Sequence, residues 1–257
     1  MDRLVFITGA SSGIGQALAW RYHRAGWRLA LAARRAGEIA QWARQRGIPP
    51  ERCVVYEADV ACSDSIVAAA QDCIARQGLP EAVIGNAGIS VGMDTAVRED
   101  LEVMARVLAT NTVGLAATFH PFVAPMTERR SGALVGIASV AGIRGMPGHG
   151  AYCASKAAAI AYCESLRGEL RGAGVKVVTI CPGYIATPLT ARNRFPMPFL
   201  MTAEAFADRA FRAIETGASY RVIPWQMAVA AKLLRALPDS VLDRAFAGLP
   251  RKRRAGE

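Results

Sequence analysis

The chain has 257 residues, of which 52% are hydrophobic and 20% are charged. This length and composition fit one large globular domain and exclude a peptide, a fibrous protein and a disordered chain. The formal net charge of +10 comes mainly from scattered arginines, which are not interleaved with aromatic residues as a nucleic-acid-binding face requires.

Seven short β-rich segments alternate with stretches of helical length, which parallel strands need as crossovers. Strands buried on both faces are continuous apolar runs, as LVFI, LALAA and VKVVTI are here. The predicted fold class is α/β, a doubly wound parallel sheet with helices on both faces. We expect a single domain over residues 1–250, followed by a basic tail at 251–257. The predicted strands are Leu4–Thr8, Arg28–Ala33, Cys53–Glu57, Ala82–Gly85, 133–138, 175–180 and Tyr220–Ile223.

A glycine-rich turn, TGASSGIG, follows the first strand and precedes a helical stretch at 16–25. Its glycines allow positive φ and a close approach to a pyrophosphate, which the N–H groups of the following helix would bind. The alternative is an ordinary strand-to-helix turn. The predicted cofactor contacts here are Gly9, Ser11, Ser12, Gly13, Ile14 and Gly15.

Two arginines, Arg34 and Arg35, follow the second strand, where an NAD site usually offers a carboxylate. The next carboxylate is Glu38. Because a guanidinium can bind a 2′-phosphate through charge-assisted hydrogen bonds, the sequence predicts NADP(H) in preference to NAD(H). The alternative is that both arginines open a solvated helix.

Polar and small residues also follow the third and fourth strands, where ligands collect in open α/β sheets. Asp59 and Val60 follow the third strand, and Asn86, Ala87 and Gly88 follow the fourth. Asp59 could accept a hydrogen bond from an adenine amino group, and the small residues would leave room for the adenosine. The alternative is that each group only caps a loop.

Tyr152 and Lys156 lie four residues apart at the start of a helix predicted over 151–171, so they share one face. A lysine and a cationic nicotinamide would lower the tyrosine pKa from about 10 and suit it to acid/base catalysis. Ser139 could hydrogen-bond a substrate oxygen, and Asn111 could hold a water against Lys156. The alternatives are a surface pair on the helix, a cap at Ser139 and a solvated residue or kink at Asn111.

In this order the motifs resemble those of the short-chain dehydrogenase/reductase family over about the first 190 residues. The resemblance implies a Rossmann-type fold of seven strands and an NADP(H)-dependent interconversion of a carbonyl and an alcohol. Tyr152 would be the general acid/base, Ser139 would position the carbonyl, Lys156 would bind the nicotinamide ribose, and Asn111 would support a relay water. Further implied cofactor contacts are Pro182, Gly183, Ile185 and Thr187. A rival reading is a catalytically silent NADP-sensing regulatory or scaffold protein on the same fold.

One position departs from the family, which often has a second asparagine where this chain has Gly85. The departure puts a hydrogen bond between strands in doubt but leaves Asn86 for the cofactor. The resemblance also implies homodimers or homotetramers, formed through apolar faces of helices at 100–126 and 151–171.

The substrate loop is predicted at 184–215, and its apolar residues favour an apolar, elongated substrate. The apolar residues are Leu189, Phe195, Met197, Phe199, Leu200 and Met201. Farther on, residues 225–237 and the basic residues 251–254 could rest on an anionic membrane surface. Alternatively, this helix packs on its own domain or on a partner subunit, and the tail is a solvated end.

Location and metal content are also predicted from simple patterns. Asp2 and Arg3 precede a very short apolar stretch, so no signal peptide is expected, and segment 222–237 is too interrupted to span a membrane. The cysteines form no CxxC pair, so we expect no bound metal and no disulfide framework. The expected location is the cytoplasm.

Overall fold

A computed structural model describes residues 2–191, 193, 195–248, 251, 252 and 254. Within these residues a parallel sheet contains β1 (Leu4–Thr8), β2 (Arg28–Ala33), β3 (Cys53–Glu57), β4 (Ala82–Gly85), β5 (Gly132–Ile137), β6 (Val175–Pro182) and β9 (Tyr220–Ile223). Two short strands, β7 (Ile185–Ala186) and β8 (Met201–Thr202), pair outside that sheet. The seven-stranded sheet has the order β3-β2-β1-β4-β5-β6-β9.

Helices connect the strands and cover both faces of the sheet. They are α1 (Gly13–Arg24), α2 (Ala36–Gln45), α3 (Ser63–Gln77), α4 (Asp100–Leu108), α5 (Gly114–Arg129), α6 (Gly150–Glu169), α7 (Ala203–Glu215), α8 (Trp225–Ala236) and α9 (Asp239–Phe246). A π-helical turn, Ala109–Val113, joins α4 to α5. The predicted doubly wound α/β fold is confirmed, with strand ends that differ from the prediction by one or two residues.

Alternate side chains of each strand supply the two cores, because neighbouring residues on a strand point to opposite faces. In β1, Val5 and Ile7 pack with α1, α2 and α7, while Leu4 and Phe6 pack with α3, α5 and α6. Phe6 also contacts the ring of Phe122 at a centroid distance of 5.2 Å. Burial on both faces explains why the strand sequences show no polar alternation.

The strand order reverses at β1, which pairs with β2 on one side and with β4 on the other. Crossovers from these two neighbours run to opposite faces of the sheet, so a crevice opens at the carboxyl ends of β1 and β4. The glycine-rich turn after β1 and the residues after β4 therefore meet at the same place. This topology positions the candidate site.

Gly85 is explained by the packing of the helix above it. A Cβ at Gly85 would lie 2.2 Å from Cδ1 of Leu115, and a Cβ at Gly136 would lie 3.6 Å from Cδ2 of the same leucine. Gly85 and Gly136 are paired on β4 and β5. Leu115 thus fills the space above both glycines, so a larger residue at position 85 would force the Leu115 side chain to move.

One continuous helical segment, Asp100–Arg129, is long and apolar enough to cross a membrane by length and composition. Its side chains Leu115, Phe119 and Phe122 are buried against the sheet and α3. A core helix can have the same length and apolar composition, and these residues pack against the sheet as those of a core helix do.

The basic tail is not a solvated end where the structure describes it. Nε of Arg254 lies 2.7 Å from Oδ2 of Asp100, a carboxylate that is 4% exposed, and Arg254 forms a parallel bridge with Gly92. The interpretation of 251–254 as a solvated end is therefore wrong for Arg254 and for Lys252, which contacts Ser90. Arg253 lies outside the described residues.

The substrate loop is shorter than the predicted 184–215. Residues 203–215 form α7, which buries Phe206, Ala207 and Ala210 in the core beside α1. The loop therefore ends at β8. In α8, Met227 and Ala231 are buried while Trp225 is 67% exposed, so this helix packs on its own domain along one face.

Candidate active site

The turn after β1 is built around glycines whose positive φ or close packing disfavours a side chain. Gly9 and Gly13 have φ of +66° and +57°, and a Cβ at Gly15 would lie 2.3 Å from the carbonyl oxygen of Gly9. Nδ2 of Asn86 donates to the carbonyl oxygens of Thr8 and Gly9 at 3.0 and 3.3 Å. The turn is thereby fixed between the strand end and the start of α1.

A cleft of about 430 Å³ runs along this carboxyl edge of the sheet. All but two of the predicted catalytic and cofactor residues line it. Those that do are Gly9, Ser11, Ser12, Gly13, Ile14, Arg34, Arg35, Asp59, Val60, Asn86, Ala87, Gly88, Ser139, Tyr152, Lys156, Pro182, Gly183, Ile185 and Thr187. Gly15 and Asn111 lie behind the wall and support it.

The residues of this cleft fit a nicotinamide dinucleotide. Gly9 and Gly13 place no side chain in the turn at their positions, and Ser12 at the start of α1 makes no side-chain cap to its N–H groups. These N–H groups can therefore bind a pyrophosphate. Basic residues lie at one part of the cleft wall, and Tyr152 and Lys156 lie at another. The two ends of a dinucleotide would meet these two groups.

Arg34 and Arg35 both line the cleft just before α2 begins at Ala36. Nη1 of Arg34 lies 3.8 Å from Oδ2 of Asp59, and the arginine side chain is 68% exposed. Arg35 donates to Oγ of Ser11 at 3.2 Å and pairs with Glu38 at 3.3 Å. The long, exposed contact of Arg34 leaves its guanidinium accessible to an anion in the cleft.

Asp59 serves its loop and also faces the cleft. Its Oδ1 accepts a hydrogen bond from the backbone N–H of Ala61 at 2.9 Å, and its own N–H donates to Ser65 at 3.1 Å. The loop-cap interpretation therefore holds for Asp59. The same residue lines the cleft, so the cap and the predicted cofactor contact are compatible.

Tyr152 lies in the first turns of α6 and shares a hydrogen bond with Ser139, which follows β5. Burial raises the pKa of Tyr152 to about 12, and the hydrogen bond with Ser139 opposes this rise. Oγ of Ser139 also accepts from the N–H of Ala141 at 3.1 Å, so the serine caps a short turn as well. Its hydroxyl hydrogen remains able to donate.

Lys156 lies one turn after Tyr152 and is 4% exposed. Its Nζ donates to the carbonyl oxygen of Ile137 at 2.8 Å and lies 5.9 Å from the ring centroid of Tyr152. Burial lowers the pKa of Lys156 to about 8. The pair is therefore not a solvated surface pair. Lys156 was expected to lower the pKa of Tyr152. In the protein without its cofactor, burial has the larger effect, and the pKa of Tyr152 is raised.

Asn111 is buried in the π-helical turn and does not face solvent. Its Oδ1 accepts from the N–H of Ile89 at 2.8 Å, while Nδ2 donates to the Ile89 carbonyl and to Oγ of Ser155, both at 2.9 Å. A Cβ at Gly88 would lie 3.3 Å from Oδ1 of Asn111 and 3.4 Å from Nζ of Lys156. Asn111 thus ties the loop after β4 to α6, close to Lys156.

A second cavity, of about 130 Å³, opens beside the first. Ser139, Tyr152 and Gly183 line both. Of the predicted apolar wall, Leu189 and Phe195 face this cavity, whereas Met197, Phe199, Leu200 and Met201 are not among its lining residues. Phe199 and Leu200 are 52% and 49% exposed, so they do not cover the site.

Several residues that line the second cavity were not singled out individually as site residues from the sequence. They are Ser90, Arg144, Met146, His149, Tyr184, Asn193, Met227, Leu234, Phe246 and Lys252. Burial lowers the pKa of His149, and its Nδ1 lies 3.0 Å from the carbonyl oxygen of Pro147. One sequence signal could have placed Lys252 at this cavity: Asp94 and Asp100 are complementary in charge to the basic tail.

Comparison with known proteins agrees with this geometry. The model of the short chain dehydrogenase family matches residues 3–196. An uncharacterized oxidoreductase from Myxococcus xanthus is 38% identical over 246 residues, covering 95% of this chain and 96% of that protein.

Solved structures show the same fold. A short chain dehydrogenase/reductase from Burkholderia phymatum in complex with NAD has a TM-score of 0.81 at 24% identity, covering 90% of this chain and 92% of the other. A short chain dehydrogenase from Burkholderia cenocepacia in complex with NADP has a TM-score of 0.81 at 22% identity, covering 96% and 98%. At such identities the likeness extends to the fold, and the two structures hold different cofactors.

Proposed function

The chain belongs to the short-chain dehydrogenase/reductase family, and we propose that it interconverts a carbonyl and an alcohol with NADP(H), using Tyr152 as general acid/base. Its class of chemistry, oxidation and reduction at alcohol or carbonyl groups, is that of the family. The cofactor preference, the role of each residue and the nature of the substrate are the new parts of the proposal.

One observation carries the proposal. Ser139 and Tyr152 line both the long cleft and the smaller cavity, so a group held between them is reached from each side. A cofactor along the cleft and a substrate in the cavity would meet at these two hydroxyls. This arrangement supports a transfer between the two bound molecules better than it supports sensing of a cofactor alone.

The bound nicotinamide would supply or accept the hydride, and its oxidised form would add positive charge near Tyr152. During reduction, Oη of Tyr152 gives a proton to the carbonyl oxygen, and Oγ of Ser139 donates a hydrogen bond to the same atom. During oxidation, the phenolate accepts the proton from the alcohol. Lys156 binds the ribose hydroxyls with its two remaining N–H donors and favours the phenolate electrostatically.

A direct test follows the absorbance of the reduced nicotinamide with a panel of aldehydes and ketones of increasing chain length. We expect turnover of at least one carbonyl compound, faster with NADPH than with NADH. Binding of NADPH without turnover of any member of a broad panel would favour the silent, NADP-sensing rival.

The preference for NADP(H) is supported by Arg34. This residue faces the cleft, is largely exposed, and makes only a 3.8 Å contact with Asp59. Neither Ala32 nor Ala33, which line the same wall, offers a carboxylate to a ribose hydroxyl. A 2′-phosphate would therefore meet a guanidinium at the end of β2, which itself offers no carboxylate; the carboxylate of Asp59 lies 3.8 Å from that guanidinium, at the end of β3.

Replacing Arg34 by Ala should weaken NADPH binding by about 1–3 kcal/mol, the range for a lost charged hydrogen bond. NADH binding should change little, because NADH has no 2′-phosphate. Titration by nicotinamide fluorescence measures both affinities. The matched control is Arg44→Ala, which removes the same charge from the exposed end of α2 outside the cleft. Equal losses for NADPH and NADH would refute the assignment of the 2′-phosphate to Arg34.

An apolar substrate is supported by the side chains around the second cavity. Leu189, Phe195, Met227 and Leu234 line it, together with the edge of α9 at Phe246. Such a wall favours aliphatic groups over sugars, which would lose hydrogen bonds with water there. The cavity is small, so a benefit from added methylenes should saturate early in a series.

The efficiency kcat/KM should rise along a series of straight-chain ketones by up to ~0.8 kcal/mol, about fourfold, per buried methylene, and then level off. Leu234→Ala enlarges the cavity and should move the optimum to longer chains. Leu233→Ala is the matched control, because Leu233 is 64% exposed on the same helix. A preference for sugars or for other substrates without an aliphatic chain, or an identical optimum in the L234A variant, would contradict an apolar binding cavity here.

The oligomeric state and the cellular location are proposed from the family and from the sequence. On α6, Ala157 and Ala161 are exposed and Ile160 is half-buried, which supports a helix face that a second copy could cover. We further propose a cytoplasmic enzyme that forms homodimers or homotetramers. Contact of the tail with a membrane is less well supported, since Lys252 and Arg254 are engaged by the protein itself.

A further inference from the structure

Lys252 extends from the basic tail into the wall of the second cavity. Its Nζ donates to Oγ of Ser90 at 2.8 Å and lies 6.0 Å from the ring centroid of Tyr152. The ammonium therefore lies near the ring that carries the hydroxyl we propose as the acid/base. Tyr152 and Lys252 are far apart in the chain, so the folding of the tail onto the domain brings them together.

The tail is held in place by ion pairs on both sides of Lys252. Arg254 donates to Asp100 at 2.7 and 3.3 Å, and the N–H of Asp94 donates to the same carboxylate at 2.6 Å. Nη1 of Arg251 lies 3.5 Å from Oδ2 of Asp94. A Cβ at Gly148 would lie 3.0 Å from Cβ of Arg251, so the tail also packs closely on the loop before α6. Lys252 is thus positioned by its neighbours.

Among the residues that the structure describes, no carboxylate forms an ion pair with Lys252. Arg144, the other strongly basic group of the cavity wall, pairs with Asp239. His149 lies nearby, and burial lowers its pKa, which favours the neutral imidazole. A half-buried ammonium on an apolar wall lacks the counter-charge that desolvated cations normally have.

We propose that Lys252 binds a carboxylate of the substrate, so that the preferred substrate is an oxo acid or hydroxy acid with a short aliphatic chain. The inference rests on the proposed function, since it assigns the substrate class of the same site. Lys252 has two N–H donors beyond the one bound to Ser90, and the Ser90 hydroxyl can donate as well. A carboxylate satisfies these donors, and its small size suits a cavity of about 130 Å³.

The distance to Tyr152 limits where the carboxylate sits in the substrate. A charge-assisted hydrogen bond places the carboxylate oxygen about 2.8 Å from Nζ. Nζ is itself 6.0 Å from the centre of the tyrosine ring. We therefore expect the carboxylate and the reacting carbonyl to be separated by a few bonds, with the aliphatic remainder along Phe195, Met227 and Leu234.

A binding experiment that needs no turnover tests the inference first. We would titrate hexanoate and its neutral isostere hexanamide by calorimetry into the full chain saturated with NADPH. We expect hexanoate to bind at least tenfold more tightly than hexanamide, and Lys252→Met to remove this difference. Lys252→Met keeps an unbranched apolar side chain of similar length. Lys232→Met is the matched control, because it makes the same change at an exposed position of α8 that does not line the cavity.

Kinetics then separate this inference from the proposed function. With the wild type, a medium-chain oxo acid should have a kcat/KM at least tenfold higher than its methyl ester. The K252M variant should lose this advantage of the acid and keep its efficiency with the ester. Equal efficiency for acid and ester, or equal losses for both in K252M, would overturn the role of Lys252 while leaving the oxidoreductase intact. If no carbonyl compound is turned over, the proposed function is wrong. The hexanoate titration would still show whether Lys252 binds a carboxylate.

Discussion

Replacing Tyr152 by Phe should lower kcat by about 100- to 10,000-fold, the range that a positioned general acid/base contributes. The substitution removes the transferable proton and keeps the ring, which packs beside Lys156. Cofactor binding should persist, because the glycine turn and the arginine end of the cleft are untouched. Steady-state kinetics give kcat, and the fluorescence of the reduced nicotinamide gives the affinity.

A matched control for this variant lies on the same helix. Tyr162→Phe also removes one phenol oxygen from α6, but the Tyr162 ring stacks on Phe119 at 6.4 Å and lines neither cavity. Its kcat should stay near that of the wild type. If Tyr152→Phe retains more than about a tenth of the wild-type kcat, less than ~1.4 kcal/mol in the barrier, Tyr152 is not the principal acid/base.

The hydroxyl of Ser139 helps to explain why the effect should be large and not total. In the Phe variant Ser139 still donates a hydrogen bond to the carbonyl oxygen, and its acceptor contact with Ala141 holds it in place. Positioning and hydrogen bonding therefore survive when the proton donor is lost. A small residual rate, insensitive to pH around neutrality, is the expected signature.

Much of the sheet was predictable because its strands are buried on both faces. Continuous apolar segments such as Leu29–Leu31 within β2 mark such strands without any knowledge of their partners. The motifs after these strands were predictable for the same reason, since parallel strands bring their carboxyl ends to one edge. Arg34, Asp59 and Asn86, which lie far apart in sequence, therefore meet along one cleft.

The parts that sequence reasoning missed depend on contacts between distant segments. The basic tail looks solvated when taken alone, yet Asp100 draws Arg254 into a bidentate ion pair across 154 positions. The predicted loop was too long because the amphipathic pattern of α7, which buries Phe206 and Ala210 beside α1, was not separated from it. Local composition indicated a basic tail and an apolar loop, but not the surfaces that they would meet.

The support around Lys156 was only partly predictable. The spacing from Tyr152 placed both residues on one helix face, but the bond from Nζ to the Ile137 carbonyl depends on β5 ending beneath α6. Asn111 was predicted to hold a water against Lys156, with a solvated residue or a kink as the alternative. It is buried in a π-helical turn, a geometry that often marks functional sites, so the solvated alternative is wrong.

Replacing Lys156 should cause the second largest loss of activity. Lys156→Met keeps most of the buried aliphatic packing but removes the charge and all three N–H donors, so the Ile137 carbonyl loses its partner. We expect kcat/KM to fall at least about 100-fold, or about 2.7 kcal/mol, because ribose binding and stabilisation of the phenolate are lost together. Cofactor affinity should fall too, in contrast to Tyr152→Phe. Lys232→Met, on the exposed side of α8, is the matched control.

The pH dependence of cofactor binding distinguishes loss of this charge from loss of packing. Burial lowers the pKa of Lys156 to about 8, so the ammonium is present below pH 8 and is lost as the pH rises through that value. Because the cofactor binds the charged form better, its dissociation constant in the wild type should increase above pH 8. In Lys156→Met the same titration should be flat between pH 7 and pH 9.5. A parallel rise in both proteins would mean that another group, and not Lys156, controls cofactor binding in this pH range.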